Sequence, residues 1–589
     1  MDPTNRNTAL ASALVEELAR SGLRRAVVAP GSRSTPLAVA LWRQPAIEVT
    51  VLIDERSAGF FALGSALGDG LPAAVLCTSG SAAANLHPAV VEADQAGVPM
   101  IVLTADRPPE LRGIGAGQTI DQLKLYGDAV RWFSEVGTHE ADDDGLLHYR
   151  SVACRAFATA AGDPRPGPVH LNLAWREPLA PVPVEAQVTA SDPLALQGRG
   201  ERPLTAVSRP AVRPEEALLD ELAGRLAAAP RGLIVAGRQP DPALAEPVAA
   251  LAAAAGYPIL AEPTSQLRRG HHDLSLVVSA YDAIARAPTD QLAPELVVRV
   301  GELPTSKPLR QWLEGIPGLR QVVLDPHADW KEPTRRAETV LRADPGAAAE
   351  GLASRLKAAA ATPERSGSDW AARWGAADAA ARDAIEAALS PLQELSEPGA
   401  WLSLAAALGD GDVVFAASSM PVRDMEAFVG PGRERVRFLS NRGANGIDGL
   451  ISTASGVATA AGSTTWAVLG DLALVHDLGG LAAARDVENL RLLVLDNGGG
   501  GIFHFLPQAE SMAPEEFEAL LGTPAGIDLA QAASLFGLSC ARPSNPTELA
   551  EALAGDARVI LARTDRDANL KLHRHLAEVA VGAVSALPG

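Results

Sequence analysis

Short apolar runs, each ending in a polar or glycine-rich turn and leading into a helical stretch, recur from the N-terminus to about residue 185. Residues 25–30 precede Gly31-Ser32-Arg33, residues 49–53 precede Asp54-Glu55-Arg56, and residues 73–77 precede Thr78-Ser79-Gly80-Ser81. This order predicts βαβ units on a parallel sheet. Ligands of such sheets gather at the carboxyl ends of the strands, so these turns are where chemistry is expected. Pro178, Pro181, Pro183, Pro203 and Pro210 mark a linker around 178–214. A second array follows, with strands at 232–237, 296–301 and 321–325. An alanine-rich, helix-favouring stretch at 343–390 then leads to a third, with strands at 413–416, 466–469 and 491–495. The expected fold is α/β with three doubly wound parallel-sheet domains, at 1–190, 191–375 and 376–589.

Size and charge narrow the class. A chain of 589 residues is too long for one core, and 47% apolar with 21% charged residues is a globular composition. The formal net charge of -20 opposes nucleic acid or an anionic membrane surface as partner, so any anionic ligand must be held by local arginines. Cys77, Cys154 and Cys540 are far apart and form neither a disulfide framework nor a paired metal motif. The polar start at Met1-Asp2-Pro3 lacks signal-peptide order, and no apolar run reaches the ~20 residues of a membrane span. A soluble, cytoplasmic protein is expected.

The third array carries the most specific chemistry. Gly470-Asp471-Leu472 closes one strand and Asp496-Asn497-Gly498-Gly499-Gly500-Gly501 closes the next, with 497 - 471 = 26 positions between the side chains that matter. That spacing puts Asp471 and Asn497 on neighbouring strand ends. Mg²⁺ takes a few oxygen ligands beside phosphate oxygens and water, and glycines let backbone approach a diphosphate. Taken singly, Gly-Asp is an ordinary turn and the glycine run an ordinary loop. Together they resemble the thiamine-diphosphate signature of Gly-Asp followed about 25 to 30 residues later by Asn, although Leu472 and Asp496 depart from its general form. In the first array, Glu55 stands where helix dipoles favour an acid, and where thiamine enzymes keep the Glu that contacts the pyrimidine ring.

A narrower resemblance rests on Gly31-Ser32-Arg33-Ser34-Thr35-Pro36, Asp54-Glu55-Arg56-Ser57-Ala58-Gly59-Phe60, Thr104-Ala105-Asp106-Arg107-Pro108, Ser418-Ser419-Met420-Pro421-Val422-Arg423, the segment 441–449 and Gly470-Asp471-Leu472. In order along the first and third arrays, these resemble the MenD family of menaquinone biosynthesis, in which Leu472 is expected. The family makes 2-succinyl-5-enolpyruvyl-6-hydroxy-3-cyclohexene-1-carboxylate (SEPHCHC) from 2-oxoglutarate and isochorismate, with thiamine diphosphate and Mg²⁺, or Mn²⁺ in its place. The resemblance implies a pyrimidine-binding first domain, a middle domain, a diphosphate- and metal-binding third domain, and a homodimer or homotetramer.

It further implies that Glu55 activates the cofactor, that Thr78, Ser79, Gly80, Ile447 and Gly470 help to bind it, and that Asp471, Asn497 and the carbonyl of Gly499 bind the metal. Ser32, Arg33, Arg107, Gln118, Lys307, Ser419, Arg423, Arg442, Ile502 and Phe503 would line the substrate pocket. Guanidinium forks suit two dicarboxylate substrates. His476 and His504 lie near these motifs, and the resemblance gives them no catalytic part. Two other enzyme and binding classes remain on the residues alone: an acetohydroxyacid synthase or benzoylformate decarboxylase type, and a nucleotide-binding regulatory module, which the missing GxGxxG at Gly237-Arg238-Gln239 disfavours. Arg268-Arg269 beside His271-His272 reads as a solvated basic turn, with an anionic effector site as the alternative.

Overall fold

The computed structural model describes the chain except residues 163–164, 209–211, 288–289, 328, 360–367 and 589. Its contacts divide it into two compact units. One comprises Met1–Pro210, Asn441–Thr465 and His476–Leu490, and the other Ala211–Ser440, Trp466–Val475 and Arg491–Gly589. Among the described residues no helix is long and apolar enough to cross a membrane.

The first unit is built on a six-stranded sheet of β1 (Arg25–Val28), β2 (Glu48–Val51), β3 (Ala73–Cys77), β4 (Met100–Asp106), β5 (Trp132–Glu135) and β6 (Pro168–Ala174), in the order β2-β1-β3-β4-β6-β5. All its pairings are parallel. β3, β4 and β6 are buried at every position; β3 is accordingly apolar throughout, while β4 and β6 bury Thr104, Asp106, His170 and Asn172 among their apolar residues. β2 is an edge strand, so the apolar run at 49–53 is not core: Val51 is 54% and Ile53 89% exposed.

The helix Glu55–Asp69 lies against the helix Leu450–Ala461 at backbone distance. A Cβ on Gly64 would fall on the carbonyl of Thr453, one on Gly456 on the carbonyl of Phe61, and one on Gly68 at 2.6 Å from Ala460 Cβ. Only glycine at these three positions lets the helices approach so closely. The same contact fixes the first turn of the helix, where Glu55 stands.

The second unit holds two sheets. β7 (Gly232–Ala236), β8 (Ile259–Ala261), β9 (Val277–Val278), β10 (Leu296–Val300), β11 (Arg320–Leu324) and β12 (Ala337–Leu341) are ordered β12-β11-β10-β7-β8-β9, so the winding reverses between β7 and β10. At this switch point, where a doubly wound sheet would take a nucleotide, Gly237 packs on the backbone of Glu302. Arg238 and Lys331 both pair with the Glu302 carboxylate. Those cations, against the opposing effect of burial, hold that carboxyl down at about 2. The crevice is filled by the protein's own ion pairs.

The third sheet contains β13 (Val413–Ala416), β14 (Arg437–Leu439), β15 (Thr465–Gly470), β16 (Leu490–Asp496), β17 (Cys540–Ala541) and β18 (Val559–Arg563), ordered β14-β13-β15-β16-β18-β17. The alanine-rich stretch before it forms the helices Pro345–Ala359 and Ser368–Leu389. The Arg268 side chain of the basic turn at 268–269 is not solvated. Arg268 is fully buried and donates to the carbonyls of Ala261, Glu426 and Val429 at 2.7, 2.6 and 2.9 Å, while His272 is buried against the Leu267 carbonyl. With Gln266 bonded to the Phe438 carbonyl at 2.7 Å, this turn ties the middle sheet to the third.

The glycine contact yields a direct test. Gly64→Ala should lower stability by about 1–3 kcal/mol through overpacking, whereas Gly375→Ala, on an open helix surface with nothing within 4 Å, should raise it by about 0.5–1 kcal/mol. Urea unfolding midpoints measure both, and a Gly64→Ala midpoint equal to wild type would refute the close crossing.

Candidate functional site

In the first unit the strand ends converge on a cross-linked polar group. Gly31 has no side chain to collide with Thr78, so the turn after β1 lies against the turn after β3. Gly80, at φ 82, donates its N–H to Gln122 Oε1 at 2.9 Å, and Gln122 in turn bonds Asn172 Oδ1 at 2.9 Å. Gln118 Nε2 donates to the Ser79 carbonyl at 2.9 Å, and Ser79 Oγ to the Gln118 carbonyl at 3.1 Å. Arg107 reaches Ser79 Oγ and the carbonyl of Gly117. Thus Thr78, Ser79, Gly80, Arg107 and Gln118 form one cluster.

Arg33 donates to the Trp175 carbonyl at 2.9 Å and faces Glu177 at 3.4 Å. Its pKa is lowered, first by burial and then by the charge of Arg107. Two guanidinium groups that repel one another in a half-buried setting are suited to sharing an anion. Ser32 is exposed beside them. Glu55 is half-buried in the first turn of its helix, and its Oε2 accepts a long contact of 3.4 Å from Asn85 Nδ2. Its charge also adds to the burial that raises the Cys77 thiol.

The segment that carries Arg442 and Ile447 belongs to the same unit and is anchored by the buried Glu92, which accepts from the N–H groups of Gly443 and Ala444 at 2.7 and 2.6 Å. Both residues are partly exposed. His476 has a structural engagement: its carbonyl accepts from Arg56 Nη2 at 2.9 Å. The neighbouring Asp477 is buried, accepts from Ser452 N–H at 2.8 Å, and is pushed up to about 6 chiefly by that burial.

The second unit brings Asp471 and Asn497 together, because β15 and β16 are adjacent. Asp471 is buried, and this desolvation, with the Asp496 charge, raises its carboxyl to about 6 despite hydrogen bonds from the N–H groups of Leu472 and Gly499. Asn497 Nδ2 donates to Glu397 Oε1 at 2.8 Å, while its Oδ1 is buried without a hydrogen-bond partner. Gly498 and Gly499 take φ of 78° and 143°, and a side chain at Gly499 or Gly500 would strike the carbonyl of Gly522 or Leu521. The Gly499 carbonyl accepts from Gly501 N–H at 2.9 Å, which leaves one lone pair for another partner. An under-compensated carboxylate, an orphaned amide oxygen and a backbone carbonyl are a donor set that fits a hard divalent cation. Among the described residues no group of three or more His, Cys, Asp or Glu offers a metal site of another kind.

Ile502 and Phe503 sit part-buried in the turn Gly501–Phe505 that follows. His504 packs edge-on against Phe517 at 4.9 Å. Ser419, at φ 75, precedes the helix Met420–Phe428, and the exposed Arg423 one turn later donates to its carbonyl. Lys307 is the exposed first residue of the helix Lys307–Gly315. The adjacent Ser306 N–H bonds Glu426 Oε1 at 3.1 Å, so the Lys307 turn is fastened to the helix that carries Arg423. Gln122, Asn172, Glu397 and Glu426 were not singled out from the sequence. Each looks there like an ordinary polar residue of a helix, strand or turn, and only tertiary contact reveals its part.

Residues 8–125 match the family model for the thiamine pyrophosphate enzyme N-terminal TPP binding domain. The chain is 44% identical over 581 residues to the 2-succinyl-5-enolpyruvyl-6-hydroxy-3-cyclohexene-1-carboxylate synthase of Myxococcus xanthus, covering 97% of each chain. It is 42% identical over 596 residues to the enzyme of that name from Halobacterium salinarum, covering 99% of this chain and 100% of the other. Among solved structures, the thiamine diphosphate-dependent 4-hydroxybenzoylformate decarboxylase of Rhodococcus jostii superposes with a TM-score of 0.69 at 17% identity, over 95% of this chain and 99% of that one. That likeness establishes the three-domain α/β fold of thiamine-dependent decarboxylases. Identity at this level over nearly the whole length means that the chain belongs to the family of 2-succinyl-5-enolpyruvyl-6-hydroxy-3-cyclohexene-1-carboxylate synthases.

Proposed function

We propose that the protein decarboxylates 2-oxoglutarate and adds the remaining four-carbon acyl unit to isochorismate, giving SEPHCHC and CO₂ in menaquinone biosynthesis, with thiamine diphosphate and Mg²⁺, or Mn²⁺ in its place. The observation that carries this reading is the near-full-length likeness to synthases of that name. Its domains run 1–190, 191–375 and 376–589, and the working form is a cytoplasmic homodimer or homotetramer. Bound thiamine diphosphate supplies an electron sink for loss of CO₂ and for the carbon-carbon bond that follows.

The chain's own residues do the rest. Glu55 would hold the pyrimidine ring and exchange a proton with it, while Thr78, Ser79, Gly80, Ile447 and Gly470 would hold the remainder of the cofactor. Asp471, Asn497 Oδ1 and the Gly499 carbonyl would hold the metal, which the orphaned amide oxygen and the raised Asp471 carboxyl favour. Arg33 and Arg107, supported by Ser32 and Gln118, would bind one carboxylate; Lys307, Ser419, Arg423 and Arg442 would serve the others, with Ile502 and Phe503 as apolar walls. The repulsion between Arg33 and Arg107 is relieved when an anion lies between them.

A coupled assay tests the whole reading. With thiamine diphosphate and Mg²⁺, 2-oxoglutarate plus isochorismate should give product and CO₂, and pyruvate should give neither; CO₂ from pyruvate alone would overturn it. Glu55→Gln keeps size but removes the carboxylate, and turnover should fall by ~10²-fold or more. Asp471→Ala removes a charged ligand and should raise the Mg²⁺ and cofactor concentrations at half-maximal activity. Unchanged titration curves would take Asp471 out of the metal site.

Arg423 is assigned to isochorismate. Arg423→Ala should weaken apparent isochorismate affinity roughly ten- to a hundredfold, the equivalent of a charged hydrogen bond of ~1.5–3 kcal/mol. Single-turnover CO₂ release from 2-oxoglutarate alone should be retained. Loss of that release with an unaltered isochorismate titration would mean that Arg423 serves the donor.

A further inference from the structure

The amide of Asn497 can face a cation correctly only if something decides which of its two ends points there. Its oxygen and nitrogen ends are nearly the same shape, and the neighbouring hydrogen bonds choose between them. Here the choice is visible. Nδ2 donates to Glu397 Oε1 at 2.8 Å, and Oδ1, directed away from that bond, is buried and without a hydrogen-bond partner. Glu397 is 1% exposed at the start of the helix Glu397–Ala407, whose N-cap is Ser396, so its carboxyl cannot leave for solvent. A carboxyl group offers Oε1 as acceptor whether or not its other oxygen holds a proton.

Glu397 is itself held. Thr564 Oγ1 approaches Oε1 at 3.5 Å. On its other side stands Asp424, which is buried and accepts a hydrogen bond at 2.9 Å from His573 Nε2, while His573 Nδ1 meets the Asn569 carbonyl at 2.9 Å. Gly501 borders the Asn497 amide so closely that a side chain there would strike Nδ2. A flipped amide would set Oδ1 against the Glu397 oxygen and turn two N–H groups toward the cation.

We infer that Glu397 is a positioning residue for the metal site, fixing the Asn497 amide with its oxygen toward the cation. The inference rests on the reading of Asp471 and Asn497 as metal ligands. Partners that orient a metal ligand typically change metal affinity by about 10- to 100-fold when removed, and the effect here is on metal and cofactor retention before any turnover.

The test is Mn²⁺ binding to the full-length protein at saturating thiamine diphosphate, read from the paramagnetic resonance signal of free Mn²⁺. Glu397→Met fills the space without an acceptor and should weaken Mn²⁺ binding by about 10-fold or more, at a melting temperature close to wild type without metal. Glu397→Gln retains an acceptor oxygen and should stay within about threefold of wild type. Should the Met variant not fold, Glu397→Asp, which withdraws the acceptor by one methylene, is expected to weaken Mn²⁺ several-fold. Normal binding in the Met variant (or, failing that, the Asp variant), or a Gln variant as weak as Met, overturns the proposal while Asn497→Ala still loses the metal. Normal Mn²⁺ binding in Asn497→Ala instead brings down the metal-site reading and this inference with it.

Discussion

Two helices meeting at backbone distance set the geometry of the first unit. The carbonyl of Thr453 lies where a side chain of Gly64 would be, and the carbonyl of Phe61 where one of Gly456 would be. Such a contact has no compliance, because carbonyl oxygens on a helix cannot move aside as a side chain can. The helix Glu55–Asp69 therefore has one axial position, and the acid in its first turn inherits it. Gly449, in the left-handed region at φ 57, completes the constraint by letting the second helix start directly over Phe60. The position of one carboxylate thus depends on Gly64, Gly68, Gly449 and Gly456, which have no side-chain chemistry of their own.

The electrostatics of each unit separate charges fully matched within the protein from those that are not. Arg150, fully buried, is matched by Glu17 at 2.8 Å and Glu16 at 3.1 Å, and donates to the carbonyls of Ala195 and Leu196; Arg268 is saturated by carbonyls. These groups are compensated and act as staples. Asp471 and Asn497 are not: one carries a raised carboxyl beside Asp496, the other an unpaired buried oxygen. Arg33, beside Arg107, has its pKa lowered by burial and by that second charge, although Glu177 faces it at 3.4 Å. Buried polar groups are ordinarily satisfied, so such a shortfall marks a candidate ligand site.

The sequence was legible wherever a feature is local. The buried strands β3, β7 and β13 are continuous apolar runs with a turn behind them, β1 and β10 are apolar but for one arginine each, and the glycine-rich loop after Asp496 announces a close backbone approach. It was less legible where one pattern has two meanings. The run at 49–53 has strand composition, yet forms an edge with Ile53 exposed, because apolar periodicity does not distinguish the centre of a sheet from its rim. The proline-rich segment after 178 reads as a linker, yet Arg150 grips Ala195 and Leu196, and Glu17 accepts from Leu204 N–H at 2.7 Å. Basic residues at 268–269 look solvated until their carbonyl partners, 158 and 161 positions away, are seen. Long-range satisfaction of polar groups leaves no periodic trace.

The helix Met420–Phe428 shows how that hidden layer serves the visible one. Arg423 is exposed, while its neighbours Val422, Asp424, Met425 and Glu426 are buried. Asp424 accepts from His573 on the C-terminal helix Arg566–Ser585 and stands beside Glu397, which bonds Asn497. Glu426 accepts from Tyr281 at 2.6 Å and from Ser306, next to Lys307. Two buried carboxyls two residues apart therefore reach in different directions, one toward the glycine loop and the other toward the Lys307 turn. A helix held on both sides in this way cannot rotate about its axis without breaking buried hydrogen bonds, each loss of a partner costing about 1–3 kcal/mol. The orientation of the exposed Arg423 is consequently set from beneath, by residues that no ligand needs to touch.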